Sequence, residues 1–220
     1  MKICVIIPVY NECEAVGFVV KSVLQKGLDV LVINDGSTDE SGTVALEHGA
    51  RVITNPAKTG KGASLRRGFQ KVLEEDYDGV ITMDGDGQHD AQDLDKILHK
   101  AQACPHSIVN GTRMTDPHGM PLVRFLTNKV MSWMISLVCR QKISDTQCGF
   151  RYIDTGILQT ITLASESYEI ETETLIKASR AGFPVYCVPV RTIYSSEKSK
   201  VHPVKDTIRF LKYFLKELWG

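Results

Sequence analysis

Net charge is missing from this chain: over 220 residues, 26 Lys and Arg balance 26 Asp and Glu. Whole-chain electrostatics therefore favour neither nucleic acid nor an acidic partner. Long apolar runs are also missing. No stretch approaches the ~20 residues of a membrane span, and the longest candidate, Val130 to Cys139, is interrupted by Ser. The N-terminal apolar run is short and broken by Pro8 and Tyr10, unlike a secretory leader. Paired cysteine motifs are absent. Cys4, Cys13, Cys104, Cys139, Cys148 and Cys187 are scattered, with no C-x-x-C and no metal-ligand spacing, which suits free thiols in a reducing cytosol. The expectation is a protein of the cytoplasm, soluble or at most peripheral at a membrane. The G-x-x-x-x-G-K-[ST] phosphate loop and the G-x-G-x-x-G dinucleotide fingerprint are lacking too. Repeats, low-complexity tracts and linkers are not seen, and the length suits one domain with a sizeable core.

What the chain does contain centres on Met83-Asp84-Gly85-Asp86-Gly87-Gln88-His89-Asp90. The preceding Asp78 to Met83 reads as a short buried strand, apolar and β-branched. Two carboxylates one Gly apart then sit at the strand's carboxyl end, where open α/β sheets bind ligands. Carboxylate and amide oxygens are hard ligands of the kind Mg²⁺ or Mn²⁺ takes, with substrate phosphates completing the shell. Asp84, Asp86 and Gln88 are the candidate metal ligands. The competing reading is a polar loop in which Asp90 caps the next helix.

In order, the chain alternates strand and helix. Ile3 to Ile7 is a strand expected to stop at Pro8, and a helix runs from Asn11-Glu12 to about Lys26. Val30 to Ile33 is a strand ending in Asn34-Asp35-Gly36-Ser37-Thr38-Asp39, where Ser37 or Thr38 is expected to cap a helix ending near Gly49. A short strand, Arg51 to Thr54, precedes a helix from Ala63 to about Glu75. The strand at 79–83, a helix from about Ala91 to Ala103 and the strand Ser107 to Asn110 follow. Further on come a helix from Leu122 to about Cys139, a loop over 144–152, a helix from Glu171 to Ala181 and a strand from Val185 to Val190. An amphipathic helix from His202 to Trp219 closes the chain. Crossover helices between strands imply a parallel, doubly wound sheet.

Polar residues gather at the expected strand ends. Asp35 could accept a hydrogen bond from a base N–H, and Tyr10 and Glu12 could flank base and ribose. Gly60-Lys61-Gly62 precedes a helix N-terminus, a place suited to anions. Each alone would read as a turn or cap; their convergence on one sheet edge is what suggests a nucleotide site.

Four segments, Val5-Ile6-Ile7-Pro8-Val9-Tyr10-Asn11-Glu12, Asn34 to Asp39, Gly60-Lys61-Gly62 and Asp84 to His89, occur in the order seen in the family 2 glycosyltransferases of GT-A fold, which the chain resembles. Downstream, Asn110-Gly111-Thr112-Arg113, Asp145 to Arg151, Tyr168 to Glu173 and Ser199-Lys200 resemble the branch with dolichol-phosphate mannose synthase and bacterial polyprenyl-phosphate glycosyltransferases. The resemblance runs to about Arg209. It implies a Rossmann-like, mostly parallel sheet in one domain: residues 1–112 as the nucleotide-sugar half, 113–200 as the smaller acceptor side, and 201–220 as the terminal helix. It implies metal-dependent, inverting transfer of a sugar from a UDP- or GDP-sugar to a polyprenyl or dolichyl phosphate, with Mg²⁺ or Mn²⁺ as cofactor. Catalysis would fall to Asp84, Asp86, Arg124 and Glu173. The donor would be held by Pro8, Tyr10, Glu12, Asp35, Lys61, Asp84, Asp86 and Lys200, and the acceptor phosphate by Arg113, Arg124 and Asn128. A hydroxyl acceptor would instead need a base, Glu171 or Glu173. A third alternative is a non-catalytic nucleotide-sugar-binding subunit, against which intact Asp84, Asp86 and Gln88 argue. Two features depart from the pattern. Tyr194 and Glu197 stand where many relatives carry Arg and Gly, with Lys198 nearby. Many relatives also continue into membrane helices. A lipid acceptor would then be reached from the membrane surface, through peripheral contact of the 202–219 helix or through a membrane partner subunit.

Overall fold

Alternate residues of the first strand face different cores. In β1 (Ile3–Val9), Cys4 and Ile6 pack on one side, and Ile3, Val5, Ile7 and Val9 on the other. β2 (Asp29–Asn34) repeats this, with Leu31 and Ile33 opposite Val30 and Val32. A sheet buried on both faces needs near-continuous apolar strands, and these sequences supply them. The computed structural model describes residues 1–117 and 119–193 together with Phe214. The remaining elements are α1 (Cys13–Leu24), α2 (Ser41–Glu47), β3 (Arg51–Thr54), α3 (Lys61–Leu73), β4 (Gly79–Thr82), α4 (Leu94–Ala103), β5 (Ile108–Thr112), α5 (Leu122–Cys139), β6 (Arg151–Asp154), α6 (Thr155–Thr160), α7 (Glu169–Arg180) and β7 (Val185–Pro189).

Three layers result. Val16, Val19, Val20 and Val23 of α1 share a core with Leu94, Ile97 and Ala101 of α4. Leu65, Phe69 and Val72 of α3 meet Ile135 of α5, Leu175 and Ile176 of α7, and Phe214 on the opposite face. Each Val, Leu, Ile or Phe among them contributes about 1.5–3 kcal/mol when fully buried. All six cysteines are free thiols, as expected.

The sheet order is β3-β2-β1-β4-β6-β5-β7. From β1 the chain winds outward to β3 and then returns to place β4 on β1's other side. The carboxyl ends of β1 and β4 therefore flank a topological switch point, the crevice where such sheets bind ligands. Strands from 1–112 and from the later residues share this one sheet.

The sequence-based outline needs four corrections. β1 continues through Pro8 to Val9. The Ile6 carbonyl accepts from Met83 on the β4 side and the Val9 carbonyl from Asp35 on the β2 side. By that alternation the nitrogen of Pro8 points toward β4, whose pairing ends at Ile6, so no ladder bond is forfeited. Residues 151–154, expected to be partly loop, form β6, antiparallel to both β4 and β5. It is only four residues long and opens on Arg151, which hides its apolar pattern. α6 follows without a linker, capped by the Asp154 side chain, which accepts from the Gly156 N–H. Finally, Ser37 and Thr38 do not cap α2. Their hydroxyls hold Asn11, while Asp39 accepts from the N–H groups of Ser41 and Cys13 and so pins the starts of α2 and α1 together.

Candidate active site

The loop after β4 is held from three directions. The Thr82 hydroxyl donates to the Gly149 carbonyl (2.6 Å). Asp86 Oδ1 accepts from the Gln88 N–H (3.0 Å) across Gly87, whose φ of +73° is open to glycine at little cost. Asp90 does cap the turn that follows, accepting from the Gln92 N–H (2.8 Å). The segment after β7 then crosses the loop: the Ile193 N–H donates to the Gln88 carbonyl (2.9 Å), and Arg191 binds Asp90 (2.9 Å).

His89, unassigned from the sequence beyond its place in the motif, supports this loop from beneath. Its buried ring stacks on Phe150, with centroids 5.1 Å apart. Its Nδ1 accepts the Asp84 N–H (3.2 Å), leaving Nε2 to carry the proton 3.9 Å from Asp84 Oδ2. Burial pulls its pKa down despite the pull of Asp84, so the ring stays neutral.

Lys61 joins distant parts of the chain. Its Nζ lies 2.5 Å from Asp84 Oδ1 and 2.6 Å from Glu171 Oε1. Burial opposes its charge, but the two carboxylates prevail and raise its pKa; Asp84 is correspondingly held down, against burial, chiefly by Lys61. Gly149 backs this triad. A Cβ there would sit 2.8 Å from Glu171 Oε1, 3.0 Å from Lys61 Nζ and 3.1 Å from Asp84 Oδ2, so a side chain would displace the charged groups. The N-terminus of α3, by contrast, is not an open anion site. The Glu166 carbonyl already accepts from the Gly62 and Ala63 N–H groups (2.9 and 3.1 Å). From this helix start it is the Lys61 side chain that reaches Asp84 and Glu171.

Several candidates prove to be engaged by the protein itself. Asp35 is buried, and its carboxylate accepts from Asn55 Nδ2 (2.9 Å), from the Thr59 N–H and hydroxyl (2.8 and 2.6 Å) and from the Gly60 N–H (2.8 Å). Burial works to raise its pKa, yet these donors hold it below the usual carboxylate range. In this structure Asp35 shapes the 55–60 loop, and that loop brings Lys58 Nζ to 3.6 Å from the centre of the Tyr10 ring. Pro8, Tyr10 and Glu12 lie at the carboxyl end of β1, beside Asp35.

Arg113 is buried in a two-point pair with Asp145 (2.8 and 3.0 Å) and also donates to the Gln147 carbonyl (2.8 Å), which fixes the 145–150 segment. Arg151 continues this work from within the core, donating to the carbonyls of Cys148 (2.8 Å) and Glu171 (2.7 Å). Glu173 does not face the rim. It is buried and accepts from the Ala164 and Ser165 N–H groups and from Lys177 (2.9, 2.8 and 2.7 Å). The carboxylate that reaches Asp84's neighbourhood, through Lys61, is Glu171, two residues earlier on α7.

Other groups are open. Among the described residues, the second oxygen of Asp86 and the side-chain amide of Gln88 carry no hydrogen bond. Arg124, half-buried on the first turn of α5, pairs with no described residue. One turn later Asn128 is 7% exposed, and its Nδ2 donor has no partner. Ser132, on the same face, binds Thr146 (2.9 Å), tying α5 to the segment that carries Gly149. Lys200 and the helix expected over 202–219 lie outside the described residues, Phe214 excepted.

The described residues include no cluster of three or more His, Cys, Asp or Glu placed to hold a metal. The donors present still fit Mg²⁺ or Mn²⁺: an open carboxylate oxygen on Asp86 and an open amide on Gln88 are hard ligands, with Asp84 adjoining. A site of so few protein ligands is the type that relies on phosphate oxygens for the rest.

Compared with known proteins, residues 4–161 match the model of glycosyl transferase family 2. The chain belongs to that family. This family 2 glycosyltransferase is 28% identical over 205 residues to an undecaprenyl-phosphate mannosyltransferase of Micrococcus luteus, covering 86% of this chain and 83% of the relative. It is 27% identical over 216 residues to a UDP-N-acetylglucosamine–dolichyl-phosphate N-acetylglucosaminyltransferase of Methanococcus voltae, covering 88% and 86%. A crystal structure of glucosyl-3-phosphoglycerate synthase from Mycobacterium tuberculosis with Mn²⁺, UDP and phosphoglyceric acid superposes with a TM-score of 0.73 at 19% identity, covering 99% of this chain and 77% of that one. That likeness establishes the shared GT-A architecture of this glycosyltransferase.

Proposed function

We propose that this glycosyltransferase moves a sugar from a UDP- or GDP-sugar to a polyprenyl phosphate, with inversion at the anomeric carbon. The observation that carries the acceptor assignment is the Arg124–Asn128 pair: a guanidinium without a carboxylate and, one turn away, a buried amide donor without an acceptor. An unmet buried donor costs about 1–3 kcal/mol, so its retention points to a ligand. Arg is well shaped for phosphate oxygens. The relatives named for transfer to undecaprenyl and dolichyl phosphates support the same acceptor class.

The residues divide the work. Tyr10, Glu12 and the loop shaped by Asp35 would border the base and ribose at the end of β1. Asp86 and Gln88, with Asp84 adjoining, would hold a divalent ion. Such an ion, when bound, offsets charge on the departing nucleoside diphosphate as a Lewis acid. Lys61, fixed by Asp84 and Glu171, sets a positive charge beside the same departing group. An acceptor phosphate oxygen attacks the anomeric carbon, the bond from that carbon to the donor's β-phosphate oxygen breaks, and the nucleoside diphosphate leaves with the electron pair. The attacking oxygen is already anionic, so no side chain has to remove a proton. Arg124 and Asn128 orient it.

A hydroxyl acceptor would need a base. The structure offers little for that role, since Glu171 is locked onto Lys61 and Glu173 is turned into the 164–165 backbone. The test supplies UDP- and GDP-sugars with three acceptors: a short-chain polyprenyl phosphate, the matching polyprenol and a free saccharide. Transfer to the phosphate alone is expected. Transfer to the alcohol or saccharide in preference to the phosphate would overturn the reading.

A further inference from the structure

α7 reaches Lys61 by two routes. Glu171, in its first turn, meets the ammonium directly (2.6 Å). Glu173, two residues on, cannot share that direction, because residues i and i+2 of a helix do not face each other. It is 1% exposed and turns to the 164–165 backbone. Each of its oxygens has its own amide there: Oε1 accepts from Ala164 (2.9 Å) and Oε2 from Ser165 (2.8 Å). Lys177, one turn later, donates to Glu173 Oε1 (2.7 Å) and to the Thr162 carbonyl (2.5 Å). Burial works to raise the pKa of Glu173, yet Lys177 and the two amides hold it below the usual carboxylate range.

The segment held in this way is a strap across the start of α3. That helix has no side-chain cap, and the first N–H groups of a helix need acceptors from outside it. The Glu166 carbonyl, next along from the amides that Glu173 holds, serves both Gly62 and Ala63. The fit is close. A Cβ on Gly60 would lie 2.5 Å from the Glu166 carbonyl oxygen, and one on Gly62 2.5 Å from that of Ser165. Lys61 is the residue between these two glycines. The strap therefore fixes its backbone, while Asp84 and Glu171 fix its ammonium.

We propose that Glu173 is a positioning residue for sugar transfer: through the 164–166 strap it sets Lys61 beside the departing diphosphate, and it exchanges no proton with the substrate. The proposal rests on the role given to Lys61 above and replaces the directly catalytic part expected of Glu173 from the sequence. A misplacement of about 1 Å in a catalytic group can cost on the order of a hundred-fold in rate, so a strap this far from the chemistry can still govern it.

The test is a double-mutant cycle on the full chain with Mn²⁺, using whichever acceptor the wild type accepts. Glu173→Gln keeps the shape of the side chain and should lower kcat about ten-fold with the acceptor KM unchanged. Lys61→Met should lower kcat about a hundred-fold. The double variant should be no slower than Lys61→Met alone, since the strap then has no charge to place. The pH–rate profile of Glu173→Gln should keep every limb of the wild-type profile. Hydrogen exchange at the Gly62 and Ala63 amides should quicken in Glu173→Gln and not in Lys61→Met. Gly62→Ala presses on the strap from the other side with Glu173 intact; it should likewise lower kcat in the wild type and do nothing further in Lys61→Met. Wild-type kcat in Glu173→Gln, losses that multiply in the double variant, or unchanged exchange at Gly62 and Ala63 would overturn the proposal. So would a missing limb in the pH profile, because Glu173 would then itself take a proton. Transfer to an alcohol or saccharide in preference to a phosphate would overturn the acceptor assignment instead, and the cycle would still decide the part played by Glu173.

Discussion

Two sets of polar side chains in this molecule differ in what already satisfies them. Asp35, Glu173 and Asp145 are buried carboxylates fully engaged by backbone N–H groups, hydroxyls, Lys177 or Arg113. Asp86, Gln88, Arg124 and Asn128 retain atoms that no described residue meets. The first set builds loops; the second, in the function proposed above, is left for metal, donor and acceptor. Residue type alone does not separate them, because a carboxylate at a strand end can serve either purpose. The separation also has opposite thermodynamic signs. An engaged group should cost stability when removed, and activity only by way of a neighbour, as with Glu173 and Lys61; an open one should cost activity directly.

The largest effect on folding is expected at Arg113. Arg113→Ala strands Asp145 as a buried, unpaired charge and should lower the unfolding free energy by about 3–5 kcal/mol in urea titrations. A stable variant with only a raised acceptor KM would move Arg113 into the open set. Arg124→Ala should do the reverse. Its stability should stay within about 0.5 kcal/mol of the wild type, while kcat/KM for a short-chain polyprenyl phosphate falls about a hundred-fold, or about 2.7 kcal/mol. Unchanged acceptor kinetics would break the comparison.

Asp35→Asn should cost about 1–3 kcal/mol at neutral pH, because four donors lose an ionised acceptor. The sign with pH follows from its depressed pKa. The stabilisation is present above the unfolded-state value of ~3.9 and fades as pH falls through the lower folded value. The wild type should therefore lose stability toward acid more steeply than the variant; parallel curves would show that the ionised form contributes nothing. The smallest effect is expected at Asn128. Replacing it with Leu removes an unmet donor, so stability should hold or rise by about 1 kcal/mol while the acceptor KM rises about ten-fold. A large loss of stability would mean the amide is engaged after all.

Much of the fold could be read from the sequence because its strands are apolar runs and its helices carry periodic valines, leucines and isoleucines, as in β1, β2 and α1. β6 escaped because four residues beginning with Arg151 offer no period to detect, and the antiparallel insertion depends on pairing that only the folded chain displays. At the site, the rim after β4 was legible from two carboxylates following a buried strand. Glu171 and Glu173 could not be told apart: two residues separated on one helix point in different directions, and only packing reveals that Glu173 turns to the backbone of 164–165. Gly149 and His89 act through proximity to Asp84, which no local spacing encodes.

The measurement that bears most directly on the rim is sugar transfer by wild type and Asp86→Ala, each assayed with Mn²⁺ and after chelation. The account predicts wild-type turnover that chelation abolishes and Mn²⁺ restores, and a variant slower by on the order of a thousand-fold with normal folding. Wild-type rates from Asp86→Ala, or full activity after chelation, would contradict it.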